Sequence, residues 1–241
     1  EVPKNVLKAA AYGRVGPVRL WLNEGGKADT LFDADFEAGS GYIKVPYTLL
    51  MRAAQNGHVQ IVELLLKRGA HINLQNSCGT TALNAAAYSG QERMVDVLLQ
   101  HGAEIGTALA AAAQGGQVRM VDLLLRRGAE IDLQDKNGDS ALMAAAQHGH
   151  ERVVDMLMKH GAEINKQNSD GGTALMDAAF YDHPAIVLRL LRAGADTALR
   201  SEDGKTALQM AKEKGHSACV EAFRQHIAEV TKASRREAAG G

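Results

Sequence analysis

Apolar residues recur along this chain in short blocks at helical spacing: Ile61, Val62, Leu65 and Leu66, then Met94, Val95, Leu98 and Leu99, then Met120, Val121, Leu124 and Leu125. Such a pattern predicts amphipathic helices with one covered stripe. Ahead of these blocks lie alanine-rich stretches, Ala85-Ala86-Ala87 and Ala144-Ala145-Ala146 among them, opened by Thr81 and Ser140. A hydroxyl at that place can cap free helix N–H groups, so a short first helix is expected before each longer second one. Glycines at 69, 102, 128, 161 and 194, each followed by alanine, supply the left-handed residue that stops the second helix.

The pattern is periodic. Thr81-Ala82-Leu83, Thr107-Ala108-Leu109, Ser140-Ala141-Leu142, Thr173-Ala174-Leu175 and Thr206-Ala207-Leu208 mark successive starts, with a looser copy at Thr48-Leu49-Leu50. Starts 48 and 81 differ by 33, as do 107 and 140, 140 and 173, and 173 and 206. Segments such as Ile131 to Gly138, with Asp135, Asn137 and Gly138 at a fixed offset, predict a tight turn between repeats. Two intervals break the period. From 81 to 107 is 26, so seven residues of finger are deleted; from 4 to 48 is 44, so the first finger is enlarged by eleven.

The Thr-Ala-Leu starts, the Gly57-His58 and Gly149-His150 turns, the leucine-rich second helices, the Gly-Ala ends and the 33-residue spacing together resemble the ankyrin repeat, from about Lys4 to His226. The resemblance implies an all-α solenoid with short β-hairpin fingers, of about seven helix-turn-helix units including end caps. Their starts fall near 4, 48, 81, 107, 140, 173 and 206, in a single domain over 4–226 with a tail at 227–241. The family's usual Thr-Pro-Leu-His is altered: Met143, Met176, Asn84, Ala110 and Gln209 stand in the fourth place, so its histidine network is expected to be missing and apolar stacking to carry more. The first unit, and the last with Ile227 where the others have Gly, look like end caps.

Composition narrows the functional classes. The chain has 241 residues, 46% hydrophobic but only 4% aromatic, which suits thin, closely packed helices. With 27 basic and 28 acidic residues the net charge is −1, so no global field draws nucleic acid or an anionic membrane. No apolar run reaches the ~20 residues of a spanning helix, and no membrane insertion is expected. Cys78 and Cys219 form no framework or zinc pair, which points to an intracellular setting, cytoplasmic or nuclear. The start Glu1-Val2-Pro3-Lys4 lacks an initiator Met and reads as a processed chain or a fragment, so a removed targeting segment stays open.

Repeat arrays offer extended, shallow surfaces that suit protein partners. In the ankyrin family the residues seven and eight places after each start line the concave face, which implies a contact surface including Gln55, Tyr88, Gln114, Gln147, His148, Phe180 and Tyr181, with Tyr12 from the cap. Tyr88, Phe180 and Tyr181 are the preferred anchors, since aromatic side chains dominate interface energetics; the alternative is that they pack as ordinary core edge. Arg52 and Asp177, four places after their starts where alanine is usual, are candidates for a polar pocket on that side. The enlarged finger, Lys27 to Pro46, carries Phe32, Phe36 and Tyr42 among acidic residues; it is either a contact arm or, in the favoured reading, a cover for the adjacent cap.

Catalytic signatures fail one by one. Gly204-Lys205-Thr206 lacks the earlier glycine of a phosphate loop, Leu199 standing there, and His150-Glu151 lacks the second histidine of a zinc site, which is Val154. The expectation is a non-enzymatic, monomeric scaffold or adaptor with a protein partner, no nucleic acid, no cofactor and no metal. The alternative is the recognition module of a larger enzyme or channel whose catalytic part lies outside this chain.

Overall fold

Short helices alternate with slightly longer ones along the whole chain, as the periodicity predicts. The computed structural model describes residues 1–38 and 41–240, and the side chains of 35–38, 41–43 and 234–240 lie outside the described set. In chain order the elements are α1 (Lys4–Tyr12), α2 (Val15–Asn23), β1 (Phe32–Ala38), β2 (Gly41–Tyr47), α3 (Leu49–Gln55), α4 (Val59–Lys67), α5 (Ala82–Tyr88) and α6 (Glu92–Gln100). There follow α7 (Ala108–Gln114), α8 (Val118–Arg126), α9 (Ala141–Gln147), α10 (Glu151–Lys159), α11 (Ala174–Phe180), α12 (Pro184–Arg192), α13 (Ala207–Lys214) and α14 (Ser217–Gly240). The elements group into an N-terminal unit, Glu1–Ala129, and a C-terminal unit, Glu130–Gly241.

Within each unit, neighbouring first helices stack: α3 on α5 and α5 on α7 in the first, α9 on α11 and α11 on α13 in the second. Alanines make that approach possible. Ala53, Ala54, Ala86, Ala87, Ala112 and Ala113 are fully buried between helices of the N-terminal unit, and Ala145, Ala146, Ala178 and Ala179 do the same in the C-terminal one. Second helices bury the predicted stripe, Ile61, Val62 and Leu65 on α4 and Met120, Val121 and Leu124 on α8, at essentially zero exposure.

The hydroxyl at each start caps its helix in five places. Thr48, Thr81, Ser140, Thr173 and Thr206 accept from the backbone N–H three residues on, at 3.1 to 3.4 Å. Thr107 does not. Its backbone is turned to ψ 17°, where the capped starts are extended, because the deleted finger brings the chain in by a shorter path through Gly106. The hydroxyl accepts from Asn84 Nδ2 instead, at 2.8 Å.

A second regularity joins neighbours through polar groups. Ten places after each start stands His58, Gln91, Gln117, His150, His183 or His216. His58 Nε2 meets the Ala11 carbonyl at 2.9 Å, Gln117 Nε2 donates to that of Tyr88 at 3.2 Å, His183 Nε2 meets that of Gln147 at 2.9 Å, and His216 Nδ1 meets that of Ala179 at 3.0 Å. The family's histidine in the fourth place is indeed replaced, but inter-repeat hydrogen bonding persists through this other row. One place earlier the backbone is left-handed, and glycine holds it at Gly57, Gly90, Gly116, Gly149 and Gly215. Asp182 occupies that place in the remaining repeat with φ 60°, the one non-glycine with positive φ among the described residues.

Fingers close as turns. Asn76, Asp135 and Asn168, five places before their starts, each accept through Oδ1 from the backbone N–H groups two and four residues on, at 2.7 to 3.1 Å. In the C-terminal unit successive fingers are cross-linked, Gln134 to the Gln167 carbonyl at 2.9 Å and Gln167 to that of Arg200 at 3.1 Å. Among the described residues a true β-ladder forms only in the enlarged finger, where β1 and β2 pair antiparallel with Phe32 opposite Tyr47 and Ala34 opposite Val45. The other fingers are too short for a ladder beyond their turn.

Ion pairs run both along helices and between repeats. Asp122 pairs with Arg126 along its helix, but Asp155 reaches across to Arg189 of the following repeat at 2.6 Å, which also takes Glu151 at 2.9 Å. Residues 227–240 continue α14 instead of fraying from it, because Ile227 replaces the glycine that ends the other second helices. Glu229 on that extension receives Arg192 of α12 through both oxygens, at 2.6 and 3.0 Å, which holds its carboxyl down at about 2.

An N-cap hydrogen bond contributes about 1 kcal/mol, and the 99–107 junction lacks both that bond and its finger. Hydrogen exchange should therefore show lower protection of α7's first-turn amides than of those of α5 or α9; equal protection would contradict the assignment. At the strained turn, Asp182→Gly should raise stability by roughly 0.5–1 kcal/mol by relieving the left-handed residue, read as a shift of the denaturation midpoint.

Candidate functional site

The predicted contact residues sit at the C-terminal ends of the first helices, where α-helical geometry throws positions four, seven and eight after each start onto one side. Aromatic side chains there remain open. Tyr88 is 43% exposed, Phe180 37% and Tyr181 46%, against essentially zero for the alanines beside them. Tyr12 on α1 is 69% exposed, with the Arg14 guanidinium 5.8 Å from its ring centroid.

In the N-terminal unit Arg52 is already engaged. Its guanidinium lies 5.5 Å from the centre of the Tyr47 ring and donates to Gln55 at 3.1 Å. Burial pushes the Tyr47 phenol up to about 12, with Arg52 pulling the other way. Tyr88 is fixed by its backbone, whose carbonyl takes Gln117; a side chain at Gly115 would collide with that same carbonyl. Gln114 is exposed at the end of α7.

Phe32 is half-buried on the same hairpin face as buried Ala34, Val45 and Tyr47, while Asp33 faces solvent. Phe32 is thus part-covered on the face of the hairpin that carries its buried residues. The side chains of Phe36 and Tyr42 lie outside the described residues.

The C-terminal unit concentrates the rest. Phe180 and Tyr181 meet edge to face at 5.0 Å between centroids, a favoured aromatic geometry. Lys214 of the next repeat sets its ammonium 4.1 Å from the Phe180 centroid, and Gln147 of the preceding repeat donates to the Tyr181 hydroxyl at 3.0 Å. Three repeats thus hold one aromatic pair in place. His148 stacks on His150 with ring centroids 6.2 Å apart, and its Nδ1 returns to the Ala144 carbonyl at 3.0 Å.

Asp177 lies one helical turn before the pair. Arg52 and Asp177 belong to different units, and each is described within its own. Asp177 keeps a little solvent contact, yet burial pushes its carboxyl up to about 8, helped by the neighbouring charge of Asp139. Among the described residues no hydrogen bond or cation is seen to offset this. Asp139 is itself raised by burial, against the Asn168 amide that donates to it at 2.7 Å, and is raised further by Asp135 and Asp170.

The two cysteines are free and sit in different surroundings. Burial pushes the Cys219 thiol up to about 12, and its Sγ donates to Asp182 Oδ1 at 3.4 Å; Cys78 is exposed. Among the described residues no group of three His, Cys, Asp or Glu side chains converges as a metal site, and no helix is long and apolar enough to cross a membrane.

A family model for ankyrin repeats, in three copies, matches residues 7–108, 108–201 and 175–238. The chain belongs to the ankyrin-repeat family. Its fold is the all-α ankyrin solenoid, a module that generally mediates protein–protein interaction and is known as non-catalytic. The ankyrin-repeat domain of human ASB11 is similar in crystal structure, with a TM-score of 0.68 and 25% identity over 92% of this chain and 98% of that one. No curated protein matches the chain. Because 598 solved chains match this fold, the fold alone selects no partner.

A folded carboxyl that keeps its proton to about pH 8, against about 4 when unfolded, binds more protons in the native state between those values. Its contribution to stability therefore declines as pH rises from about 4 to about 8 and levels off above. Asp177→Ala, which installs the residue found at this register in Ala85, Ala111 and Ala144, should raise stability at pH 7 by ~1–3 kcal/mol. It should also flatten that slope in denaturation series at pH 5, 7 and 9.

Proposed function

We propose that this chain is an interaction scaffold or adaptor that grips a protein partner on its concave face, working as one monomeric ankyrin domain over 4–226. The observation that carries the reading is the exposure of Tyr88, Phe180 and Tyr181 at the ends of first helices whose other residues are small or buried. Large aromatic rings held rigidly by neighbours bind with little further loss of side-chain entropy. Gln147 and Lys214 provide that rigidity for Phe180 and Tyr181. Tyr12, Gln55, Gln114 and His148 supply the polar and adaptable remainder, and the half-buried position of Phe32 favours a supporting role for the enlarged finger. The free thiols Cys78 and Cys219 support a reducing compartment inside the cell.

The test compares affinity capture from the source lysate by the wild type with capture by a Tyr88→Ala, Phe180→Ala, Tyr181→Ala variant of unchanged helical content. A specific protein lost from the variant, with affinity weakened about 100-fold or more on reconstitution, is the expected result. A partner retained at full affinity would move the contact surface elsewhere.

A further inference from the structure

We propose that the open flank of the finger 74–80 takes a backbone turn of the protein partner, one whose first corner is Asn, Asp or Ser. The inference rests on the reading that this chain binds a protein, and it adds to the aromatic anchors a second contact, on the finger row of the N-terminal unit.

In the C-terminal unit each finger is covered by the next through the same two groups. The glutamine six places before a start donates to the carbonyl of the corresponding residue one repeat on, Gln134 to Gln167 at 2.9 Å and Gln167 to Arg200 at 3.1 Å. The carbonyl three places before a start accepts from a backbone N–H of that following finger, Asn137 from Ser169 at 3.1 Å and Asp170 from Glu202 at 2.7 Å. The covering segment thus offers a carbonyl and, two residues later, an N–H. Between the two stands Asn168 or Ser201, whose side-chain oxygen closes its own turn. The cover leaves the turn glycines no room, since a Cβ at Gly138 would lie 2.6 Å from the Ser169 nitrogen and one at Gly171 would lie 3.0 Å from the Arg200 oxygen.

The finger 74–80 carries the same groups uncovered. Gln75 and Cys78 stand six and three places before Thr81, and the finger that would follow is the one deleted by seven residues. At its base the junction is intact, with Asn73 Oδ1 accepting from the Glu104 N–H at 3.0 Å as Asp132 does from Glu163 at 2.9 Å. Its tip is open. Gln75 and Cys78 are exposed, a Cβ at Gly79 would meet nothing within 4 Å, and among the described residues neither the Gln75 amide nor the Cys78 carbonyl has a hydrogen bond. The last finger is open on its far side too, but there Arg200 folds back onto its own Gly204 carbonyl at 2.5 Å and Lys205 is drawn to Glu213.

What fits this flank is set by what fits the others. A donor amide and an acceptor carbonyl at that spacing ask for backbone, so the segment is recognised by its turn and not by its charge. Asn, Asp and Ser are the residues whose short side chains close such a turn and hold its carbonyl and N–H in place. A turn already closed loses little entropy on docking. A finger supplied by the partner would continue the row that this chain interrupts.

The experiment attaches a probe by disulfide to exposed Cys78, since Cys219 is buried. The probe is acetyl-Lys-Gln-Asn-Ser-Asp-Gly-Gly, the sequence of residues 166–172, carried on a Gly-Ser-Gly-Ser-Gly linker to a terminal cysteine; such a tether gives an effective concentration in the millimolar range. In NMR spectra of the whole chain the Gln75 side-chain amide should shift, and exchange of the probe's serine amide should slow about twofold to fivefold, the effect of one ordinary hydrogen bond at partial to full occupancy. A twin probe N-methylated at that serine should leave Gln75 unmoved. So should the first probe on a filled chain, in which Gly106 is replaced by the sequence of residues 132–139 to restore the 33-residue interval. A Gln75 shift with both probes, with neither, or persisting on the filled chain would overturn the proposal. If the filled chain does not fold, Gln75→Ala decides: the probe's exchange should return toward the free-peptide rate, and unchanged slowing overturns the proposal. The two readings fail separately. A captured partner should bind the filled chain about tenfold or more weakly; one kept there at full affinity but lost from the aromatic triple variant sinks the flank alone, whereas one kept by the aromatic variant and lost from the filled chain sinks the aromatic face and leaves the flank.

Discussion

A seven-residue helix laid on a nine-residue helix cannot bury its own apolar residues; both flanks of the pair stay open until a neighbouring repeat covers them. Everything else in the chain follows from meeting that requirement at close range. First helices carry alanine where they touch, second helices carry Leu, Val, Ile and Met where they interlock, and each repeat depends on its neighbour for most of its core. Polar groups then fix the register that apolar contact leaves loose. At four of the starts the side chain ten places on reaches a carbonyl of the preceding first helix, and the asparagines and aspartates of the fingers close turns that, in the C-terminal unit, are linked to one another.

In the proposed reading, function occupies what stacking leaves over. Since the packing surfaces are taken by alanine and the leucine stripe, the ends of the first helices are free to vary, and there the chain places Tyr88, Phe180, Tyr181 and Asp177. Asp177 runs against local stability, and such a residue on an accessible surface is a sign of work done for something other than the fold.

Much of this was legible in the sequence, for reasons that differ from residue to residue. The period, the capping hydroxyls and the Gly-Ala stops are local signals, and a deletion of seven residues before Thr107 shows in simple spacing. Ile227 in place of glycine also foretold a changed end, although the full run of α14 needed the Arg192–Glu229 pair to be seen. The row ten places after each start was visible as a column of His and Gln, yet its carbonyl partners lie in other repeats and leave no mark nearby. For Asp177, sequence reading located an unusual residue but not the burial and the neighbouring Asp139 charge that raise its carboxyl, since both come from several segments at once. Asp155 shows the same limit, since Lys159 stands at suitable spacing on its own helix while the observed partner, Arg189, lies in the next repeat between two acids.

The row four places after each start has one further consequence. Ala111 and Ala144 occupy it with a partly exposed methyl where Arg52, Asp177 and Met210 project something larger, and none of the N-cap or inter-repeat carbonyl bonds described above uses a side chain of this row. These alanines are blank fields in a form whose other fields are filled. A single codon change could write a new charge there without disturbing the stack, so the recognition code of this chain can drift, duplicate or be edited one repeat at a time while the fold stays as it is.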